Sequence, residues 1–185
     1  MNQIIIQGVG YVALLFSILS FQGNKRSSIL FCLIIAYILY GLHFSLLHAW
    51  TGAAMSILGA LRTILFYQKD TKVWAQHSIW MYSFMGAFLV VGLITWTSYV
   101  SLFPILAGIA DTFGLWKKGT RAIRLLMLVP RPFWFLYDFL VGSYAGITAE
   151  IFVLASVLIG IVRFDILNQK KNLPLAHEAL PQSLQ

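Results

Sequence analysis

The chain has 185 residues, of which 59% are hydrophobic and only 10% are charged. A soluble domain of this size needs more polar surface, so the composition excludes one and predicts an all-α integral membrane protein. The net charge of +7 is compatible with nucleic-acid binding. Most of the basic residues, however, fall in predicted loops and in the tail, and we expect no nucleic-acid partner. Cys32 is the one cysteine, which excludes an internal disulfide and a cysteine metal cluster, and we expect no metal and no cofactor.

Seven apolar stretches are each long enough, at 1.5 Å per residue, to cross about 30 Å of hydrocarbon as a helix. The first lacks the basic region of a signal peptide, so we expect it to be a retained helix. The predicted spans cover residues 4–21, 28–47, 50–68, 78–97, 99–116, 122–141 and 144–163. Residues 1–166 are thus predicted to form a single polytopic membrane domain, and residues 167–185 a short, disordered cytoplasmic tail.

The positions of the basic residues predict the orientation of these spans. The turns around His48, Ser98 and Gly142 carry no Lys or Arg, whereas every turn on the opposite side carries at least two. Basic residues favour the cytoplasmic side, so we expect a periplasmic N-terminus and a cytoplasmic C-terminus. An even number of spans would place these residues on both sides of the membrane, and the charges therefore favour seven. The basic loop and tail residues are Lys25, Arg26, Lys69, Lys72, Lys117, Lys118, Arg121, Arg124, Arg163, Lys170 and Lys171.

One stretch in each half of the chain resembles the other at a shift of 94 positions, which places residues 40–57 on residues 134–151. Tyr40 then meets Trp134, and His43 meets Tyr137. Identical residues stand at Leu42, Leu46, Gly52, Ile57 and their equivalents. We expect a first repeat at 4–68, a linker helix at 78–97 and a second repeat at 99–163. The fold class predicted is two parallel three-helix bundles joined by one linker helix, an arrangement known among transporters.

Several short motifs occur in order along the chain. They are Gln7-Gly8-Val9-Gly10, Leu42-His43-Phe44, Ala60-Leu61-Arg62-Thr63, and Glu150 followed by Ile161-Val162-Arg163-Phe164. Together they resemble the YgjV-type bacterial inner membrane proteins, which implies the inner membrane of a bacterium and no particular activity. The three-plus-one-plus-three plan is more distantly similar to the SWEET and PQ-loop transporters. Phe21-Gln22 stands where those proteins have a Pro-Gln pair, so sugar specificity cannot be carried over.

Charged residues within predicted spans are costly to bury and are candidates for a functional site. Arg131 lies between Pro130 and Pro132, which predict a kink or break near the bilayer centre. It is roughly 15 Å deep, and Glu150 is roughly 9 Å below the outer surface, depths that long side chains can bridge. The pair is either a ligand clamp or proton-linked switch, or a structural ion pair. An isolated Arg131 that extends to the interface is the third alternative.

Further polar and aromatic residues complete the predicted site. We expect Asp111 and Arg62 to pair near the inner mouth, as an inner gate or in proton coupling, and Asp138 to be a solvated residue at the outer mouth. His43, Tyr40, Trp134 and Tyr137 are predicted to flank the site, with rings of the kind that bind sugars or heterocycles. A packing role for His43 is the alternative. Trp50 and Tyr144, at the hairpins, are expected in the membrane interface.

These features predict a transporter or facilitator of a small polar solute that works by alternating access between the two bundles. The expected partners are membrane lipid and that solute. The sequence leaves open the charge of the solute and whether the protein works alone or as an oligomer. The alternative is a non-transporting accessory or structural membrane protein with a closed interior. An enzyme is not expected, because the sequence has no HExxH, no GxSxG and no glycine-rich phosphate loop.

Overall fold

The computed structural model describes residues 3–167, and the predicted tail from residue 168 onward lies outside them. The described residues are almost all helical. Short 3₁₀ turns at Val73–Gln76 and Tyr99–Ser101 connect longer helices, and a π-helix at Ile161–Leu167 follows the last one. The α-helices are α1 (Gln3–Gln22), α2 (Arg26–Leu46), α3 (Trp50–Gln68), α4 (Ile79–Ile94), α5 (Leu102–Trp116), α6 (Thr120–Leu126), α7 (Arg131–Leu140) and α8 (Tyr144–Gly160).

The described helices are those of an all-α membrane protein. Four helical segments are long and apolar enough to cross a membrane, namely Gln3–Gln22, Arg26–Leu46, Tyr99–Trp116 and Tyr144–Ile166. The apolar α4 has only 16 residues. The 19-residue α3 is less apolar because it contains Arg62 and several small polar residues. Helix length and composition therefore support four spans directly, and the remaining predicted spans are the shorter or more polar helices.

The kink or break predicted at Pro130 and Pro132 is present as a complete break. Residues 127–130 form turns between α6 and α7. Neither proline has an amide hydrogen, so neither can donate to the carbonyl four residues before it. Pro132 instead falls in the first turn of α7, where a helix tolerates proline. As a result Arg131 begins a helix within the bundle instead of lying in the middle of one.

The α2–α3 and α7–α8 hairpins have the same backbone geometry. His48 and Gly142, which are 94 positions apart, both have positive φ, at 58° and 70°. Each follows the last turn of a helix, the position at which a left-handed residue ends many helices. The same three backbone hydrogen bonds occur in both hairpins. In the first they are Leu47 N to His43 O, His48 N to Ser45 O and Ala49 N to Phe44 O. In the second, 94 positions later, they are Val141 N to Tyr137 O, Gly142 N to Phe139 O and Ser143 N to Asp138 O.

Two apolar clusters form the core, one near each end of the bundle. We call the end that carries these hairpins the hairpin end, and the opposite end, at residues 23–26, 69–72 and 117–124, the basic end. Phe21, Ile29 and Phe66 belong to the cluster nearer the basic end, whereas Phe44 and Trp134 belong to the cluster nearer the hairpin end. α1 packs against α2 and α8, and α5 packs against α3, α4 and α7. The helices before and after α4 therefore share one interior.

Candidate functional site

Arg131 is the centre of a charged cluster formed by three helices. Its Nη1 donates to Oε1 of Glu150 on α8 at 3.2 Å, and its Nη2 donates to Oδ1 of Asp111 on α5 at 3.3 Å. Its Nε donates to the carbonyl oxygen of Met127 at 3.1 Å, within the break between α6 and α7. The side chains of Arg131 and Glu150 are 13% and 11% exposed. The expected pair of Arg131 and Glu150 is present, and Asp111 is an additional partner.

Asp111 receives hydrogen bonds from three side chains. Besides Arg131, the hydroxyl of Tyr37 on α2 donates to Oδ2 at 3.3 Å, and Nε1 of Trp134 on α7 donates to the same oxygen at 3.2 Å. The carboxylate is thus satisfied although it is almost fully buried. Tyr37 was not among the predicted site residues. It precedes Tyr40 by three positions on α2, and this helical spacing was the signal that could have found it.

Arg62 does not pair with Asp111, in contrast to the prediction. Its Nη1 donates to Oγ1 of Thr112 at 3.2 Å and to the carbonyl of Gly108 at 3.4 Å. Its guanidinium carbon lies 5.2 Å from the ring centre of Tyr37, which connects it to Asp111 indirectly. Among residues 3–167, no carboxylate lies within ion-pair distance of Arg62. The structure therefore provides Arg131, rather than Arg62, as the counter-ion of Asp111.

A cavity of about 40 Å³ lies beside the charged cluster, with room for about three water molecules. Arg131 and Glu150 line it, and so do the predicted aromatic residues Tyr40 and Trp134. Phe44 lies between these two rings, with its centre 6.1 Å from that of Tyr40 and 6.2 Å from that of Trp134. The site therefore combines an ion pair with a wall of stacked aromatic rings.

Asp138 is buried and lines the same cavity, so its predicted position at a solvated mouth is wrong. Its exposure is 2%, and its Oδ1 receives no hydrogen bond from the described residues. Gly146 on α8 provides the space for this carboxylate, because a Cβ at that position would overlap Oδ1. Asp138 is thus a carboxylate held against the start of α8 without a cationic partner in the described part of the chain.

At the hairpin end, His43 contacts both α1 and the second hairpin. Its Nδ1 lies 2.9 Å from the carbonyl oxygen of Ile6, and its Nε2 lies 2.9 Å from Oγ of Ser143. A carbonyl oxygen only accepts hydrogen bonds, so Nδ1 is the donor, and in the neutral ring Nε2 accepts from the Ser143 hydroxyl. His43 is fully buried and does not line the cavity. It therefore takes part in closing the hairpin end instead of flanking the site.

Tyr137 makes the corresponding contact with the first hairpin. Its hydroxyl accepts from the backbone nitrogen of Gly52 at 2.8 Å and donates to the carbonyl of Ala49 at 3.5 Å. Tyr137 does not line the cavity either. Its ring packs edge-on against Trp134, and Trp134 does line the cavity. His43 and Tyr137, which align in the sequence, each reach across to the hairpin of the other.

At the basic end, Arg26 joins α2 and α3 to α5. Its Nη1 donates to the carbonyl of Phe66, in the last turn of α3, at 3.0 Å. The same nitrogen donates to Oδ2 of Asp70, just after α3, at 2.9 Å. Its Nη2 and Nε donate to the carbonyls of Leu115 and Lys117, at 3.2 and 3.1 Å, at the end of α5. Arg26 thus donates to carbonyl groups at the ends of two helices, where intrahelical partners become scarce.

Arg124 makes an equivalent set of contacts from α6. Its Nη1 donates to Oδ1 of Asp165 at 3.0 Å, in the π-helix that follows α8, and its Nη2 donates to the carbonyl of Gly23 at 3.0 Å, at the end of α1. The Arg124 side chain is fully buried, and that of Asp165 is 8% exposed. Both arginines were predicted only as loop residues that orient the chain, and both prove to be buried bridges.

Lys69 adds a third cation to the basic end. Its Nζ donates to the carbonyl of Trp116 at 2.6 Å and lies 3.3 Å from the centre of the indole ring. Burial, followed by the neighbouring charge of Arg26, lowers the pKa of Lys69 to about 8. This end is therefore closed by three basic side chains that bond to the ends of neighbouring helices.

Comparison with known proteins agrees with the membrane assignment. The Imp-YgjV family model, described as a bacterial inner membrane protein, matches residues 4–168. The inner membrane protein YgjV of Escherichia coli (strain K12) is 26% identical over 182 residues, which cover 96% of this chain and 94% of the relative. No solved structure matches the chain. Since the family match spans nearly all of the helices described above, the chain belongs to the YgjV family of bacterial inner membrane proteins.

Proposed function

We propose that this protein carries a small polar solute across the bacterial inner membrane by alternating access. The observation that carries the proposal is the cavity lined by Arg131 and Glu150, where helices from both sides of α4 meet. Ionisable residues are expensive inside a membrane and mark the pathways of ions and solutes. A discontinuous helix beside the site, as at α6–α7, is a recurring feature of transporters.

The proposal includes seven spans in two parallel halves. α1–α3 form the first half, α4 is the linker, and α5 with α8 and the broken α6–α7 span form the second. The matching hairpins at His48 and Gly142 support this division, because equivalent turns are expected when a repeat enters the membrane in the same direction twice. The basic residues gathered at one end support a periplasmic N-terminus and a cytoplasmic C-terminus.

The contacts at the two ends supply gates for such a cycle. At the hairpin end, His43 and Tyr137 connect the two halves. At the basic end, Arg26 and Arg124 do so. We propose that the arginines, in place of the predicted pair of Asp111 and Arg62, form the inner gate. Opening either end requires that its own set of polar contacts break, and the arrangement with both sets formed corresponds to an occluded state.

The second candidate is a non-transporting membrane protein, and the size of the cavity favours it. About 40 Å³ accommodates a few waters and no sugar or nucleoside. In that case the Arg131 cluster would serve only to fix the helices in place. The two candidates differ in whether ligands bind in the cavity and whether solutes cross the membrane.

The test is a thermal-shift screen of the purified protein against amines, amino acids, carboxylates, sugars and nucleosides, followed by uptake into proteoliposomes. A solute that binds the folded protein raises its unfolding temperature in a saturable way. We expect one class to do so, to be taken up, and to lose both effects in Glu150→Gln. Tyr144→Phe, at an exposed hairpin position, is the control. A panel with neither binding nor uptake would refute the transport proposal.

A further inference from the structure

The charges around the cavity do not balance. Asp138 and Glu150 line it together with one cation, Arg131, so the lining has a formal charge of −1 when all three groups are ionised. Arg131 is already flanked by Glu150 and Asp111. Asp138 has no ion-pair partner among residues 3–167. With Asp111 included, three carboxylates surround one arginine, so the site contains two carboxylates more than Arg131 can neutralise.

Two carboxylate oxygens at this site also lack hydrogen-bond donors within the described chain. One is Oδ1 of Asp138, and the other is Oε2 of Glu150. The latter lies 3.1 Å from Nη1 of Arg131, but that nitrogen donates to Oε1 instead. A buried carboxylate oxygen without a donor is unfavourable, because the hydrogen bonds it made with water are not replaced. Donors supplied by a bound ligand would satisfy both oxygens.

The aromatic wall of the cavity is suited to a cation. Tyr40, Phe44 and Trp134 all line it. The faces of such rings attract ammonium groups that lie within about 6 Å of the ring centre. Within the described residues, Arg62 lies over Tyr37 and Phe88, whereas no Lys or Arg lies over the three rings of the wall. The three rings of the wall therefore have no cation partner among the described residues.

The same residues argue for an organic cation of small size. The described residues contain no group of three His, Cys, Asp or Glu side chains arranged to hold a metal ion. An ammonium group, in contrast, needs carboxylates on one side and can use aromatic faces on the other. The cavity volume of about 40 Å³ admits only a small head group without rearrangement.

We propose that the cavity between Asp138, Glu150 and the Tyr40–Phe44–Trp134 wall is a binding site for a small protonated amine. The ammonium group donates to Oδ1 of Asp138 and Oε2 of Glu150, which receive no hydrogen bond from the described residues, and rests against the rings. This inference rests on the proposed transport function and names its substrate class.

The probe is methylammonium, with acetate as the anionic comparison, acetamide as the neutral comparison and tetramethylammonium as a bulkier cation without N–H donors, at constant pH and ionic strength. We expect a saturable rise in unfolding temperature with methylammonium and none with the three comparison compounds. Asp138→Asn should weaken methylammonium binding at least about tenfold, as expected for loss of a charged hydrogen-bond partner. Asp70→Asn removes a carboxylate at the basic end, 41% exposed, and should bind methylammonium like the wild type.

A second pair of variants keeps the test valid if Asp138→Asn does not fold. Tyr40→Phe retains the ring and should bind cations within about threefold of wild type, whereas Tyr40→Leu should lose about tenfold. Shifts with acetate or acetamide alone, no shift with methylammonium, or a methylammonium shift unaffected by Asp138→Asn and Tyr40→Leu would each overturn the inference.

Flux distinguishes this inference from the transport proposal. Methylamine crosses lipid in its neutral form, so methylammonium uptake into proteoliposomes is compared at one pH with uptake into liposomes without the protein, and only the excess reports on the protein. Methylammonium binding without such excess uptake or exchange would leave the binding site in place and count against transport. Uptake of a solute of another class, with no cation binding, would do the reverse.

Discussion

His48 and Gly142 adopt the same left-handed backbone conformation at two hairpins 94 positions apart, with φ of 58° and 70°. Glycine adopts it without strain, whereas a residue with a Cβ is disfavoured by roughly 1–2 kcal/mol. We therefore expect Gly142→Ala to lower the free energy of unfolding by about 1 kcal/mol. A Cβ at Gly142 meets no atom within 4 Å, so the loss reports backbone strain alone. Thermal unfolding in detergent measures it.

Gly86→Ala on α4 is the matched control. The added Cβ again meets no atom within 4 Å, but the backbone there is helical, and alanine is expected to stabilise the helix by up to about 1 kcal/mol. The two variants should thus move the unfolding temperature in opposite directions. Equal shifts for both would contradict the left-handed turn at Gly142.

The two arginine bridges at the basic end should differ in stability contribution. Asp165, the partner of Arg124, is 8% exposed, and Asp70, the partner of Arg26, is 41% exposed. Removing one member of a buried pair costs about 3–5 kcal/mol, because it leaves the other charge uncompensated. Water that reaches the partly exposed Asp70 screens its pair with the buried Arg26, so this pair should contribute less, about 1 kcal/mol. Asp165→Asn should therefore destabilise far more than Asp70→Asn, and comparable losses would show that the Arg124 bridge is not buried.

Lys69 should make stability increase at alkaline pH. Burial and the charge of Arg26 lower the pKa of Lys69 in the folded protein from 10.5 to about 8. Between these two values the unfolded chain binds more protons, so the free energy of unfolding rises with pH across the window. We expect the unfolding temperature of wild type to rise relative to that of Lys69→Met from pH 8 to pH 10.5. Lys72→Met, at an exposed position, is the control and should run parallel to wild type.

Local and short-range features of the site could be predicted from the sequence. The break at Arg131 follows from two prolines, which act on the backbone next to them whatever the tertiary fold. The pairing of Arg131 with Glu150 follows from a hairpin, because neighbouring antiparallel helices bring residues at similar depth together. The partner of Asp111 could not be predicted in this way. Depth favoured Arg62, which was predicted to lie at a depth similar to that of Asp111, but the actual partner depends on how α3, α5 and α7 are rotated about their axes.

The arginine bridges were missed for a related reason. Arg26 and Arg124 follow the charge pattern of loop residues, and hydropathy carries no sign that helix-end carbonyls will surround them. The shift of 94 positions that aligns the two hairpins does not align Arg26 with Arg124, since it places Arg26 on Thr120. Arg124 lies four residues farther along, and the break in the sixth predicted span separates it from the aligned stretch. Here the contacts are equivalent although the sequence positions are not.

The Arg131 cluster should behave as a coupled unit. Arg131→Met leaves Asp111 and Glu150 as buried carboxylates without a counter-ion, and we expect a loss of about 3–5 kcal/mol. Glu150→Gln leaves Arg131 paired with Asp111 and should cost less. The double variant should lose less than the sum of the two single losses, because Glu150 no longer needs the charge that was removed. Additive losses would show that the two residues do not interact.

Gly146 should be required both for stability and for binding at the site. A Cβ there would overlap Oδ1 of Asp138, so Gly146→Ala must displace the carboxylate, at about 1–3 kcal/mol. We expect it to abolish the thermal shift produced by methylammonium. Gly8→Ala, where a Cβ meets nothing within 4 Å, should leave that shift unchanged.

A second substitution separates the two effects of Gly146→Ala. Adding Asp138→Ser to it shortens one of the two side chains that meet the new Cβ, so stability should recover in part, because the hydroxyl of Ser143 still meets the Cβ. Binding of methylammonium should not recover, because the carboxylate is gone. If the double variant regained both, the carboxylate of Asp138 would be dispensable for the cation. If Gly146→Ala alone kept full stability and binding, Asp138 would not be held against α8 at this position.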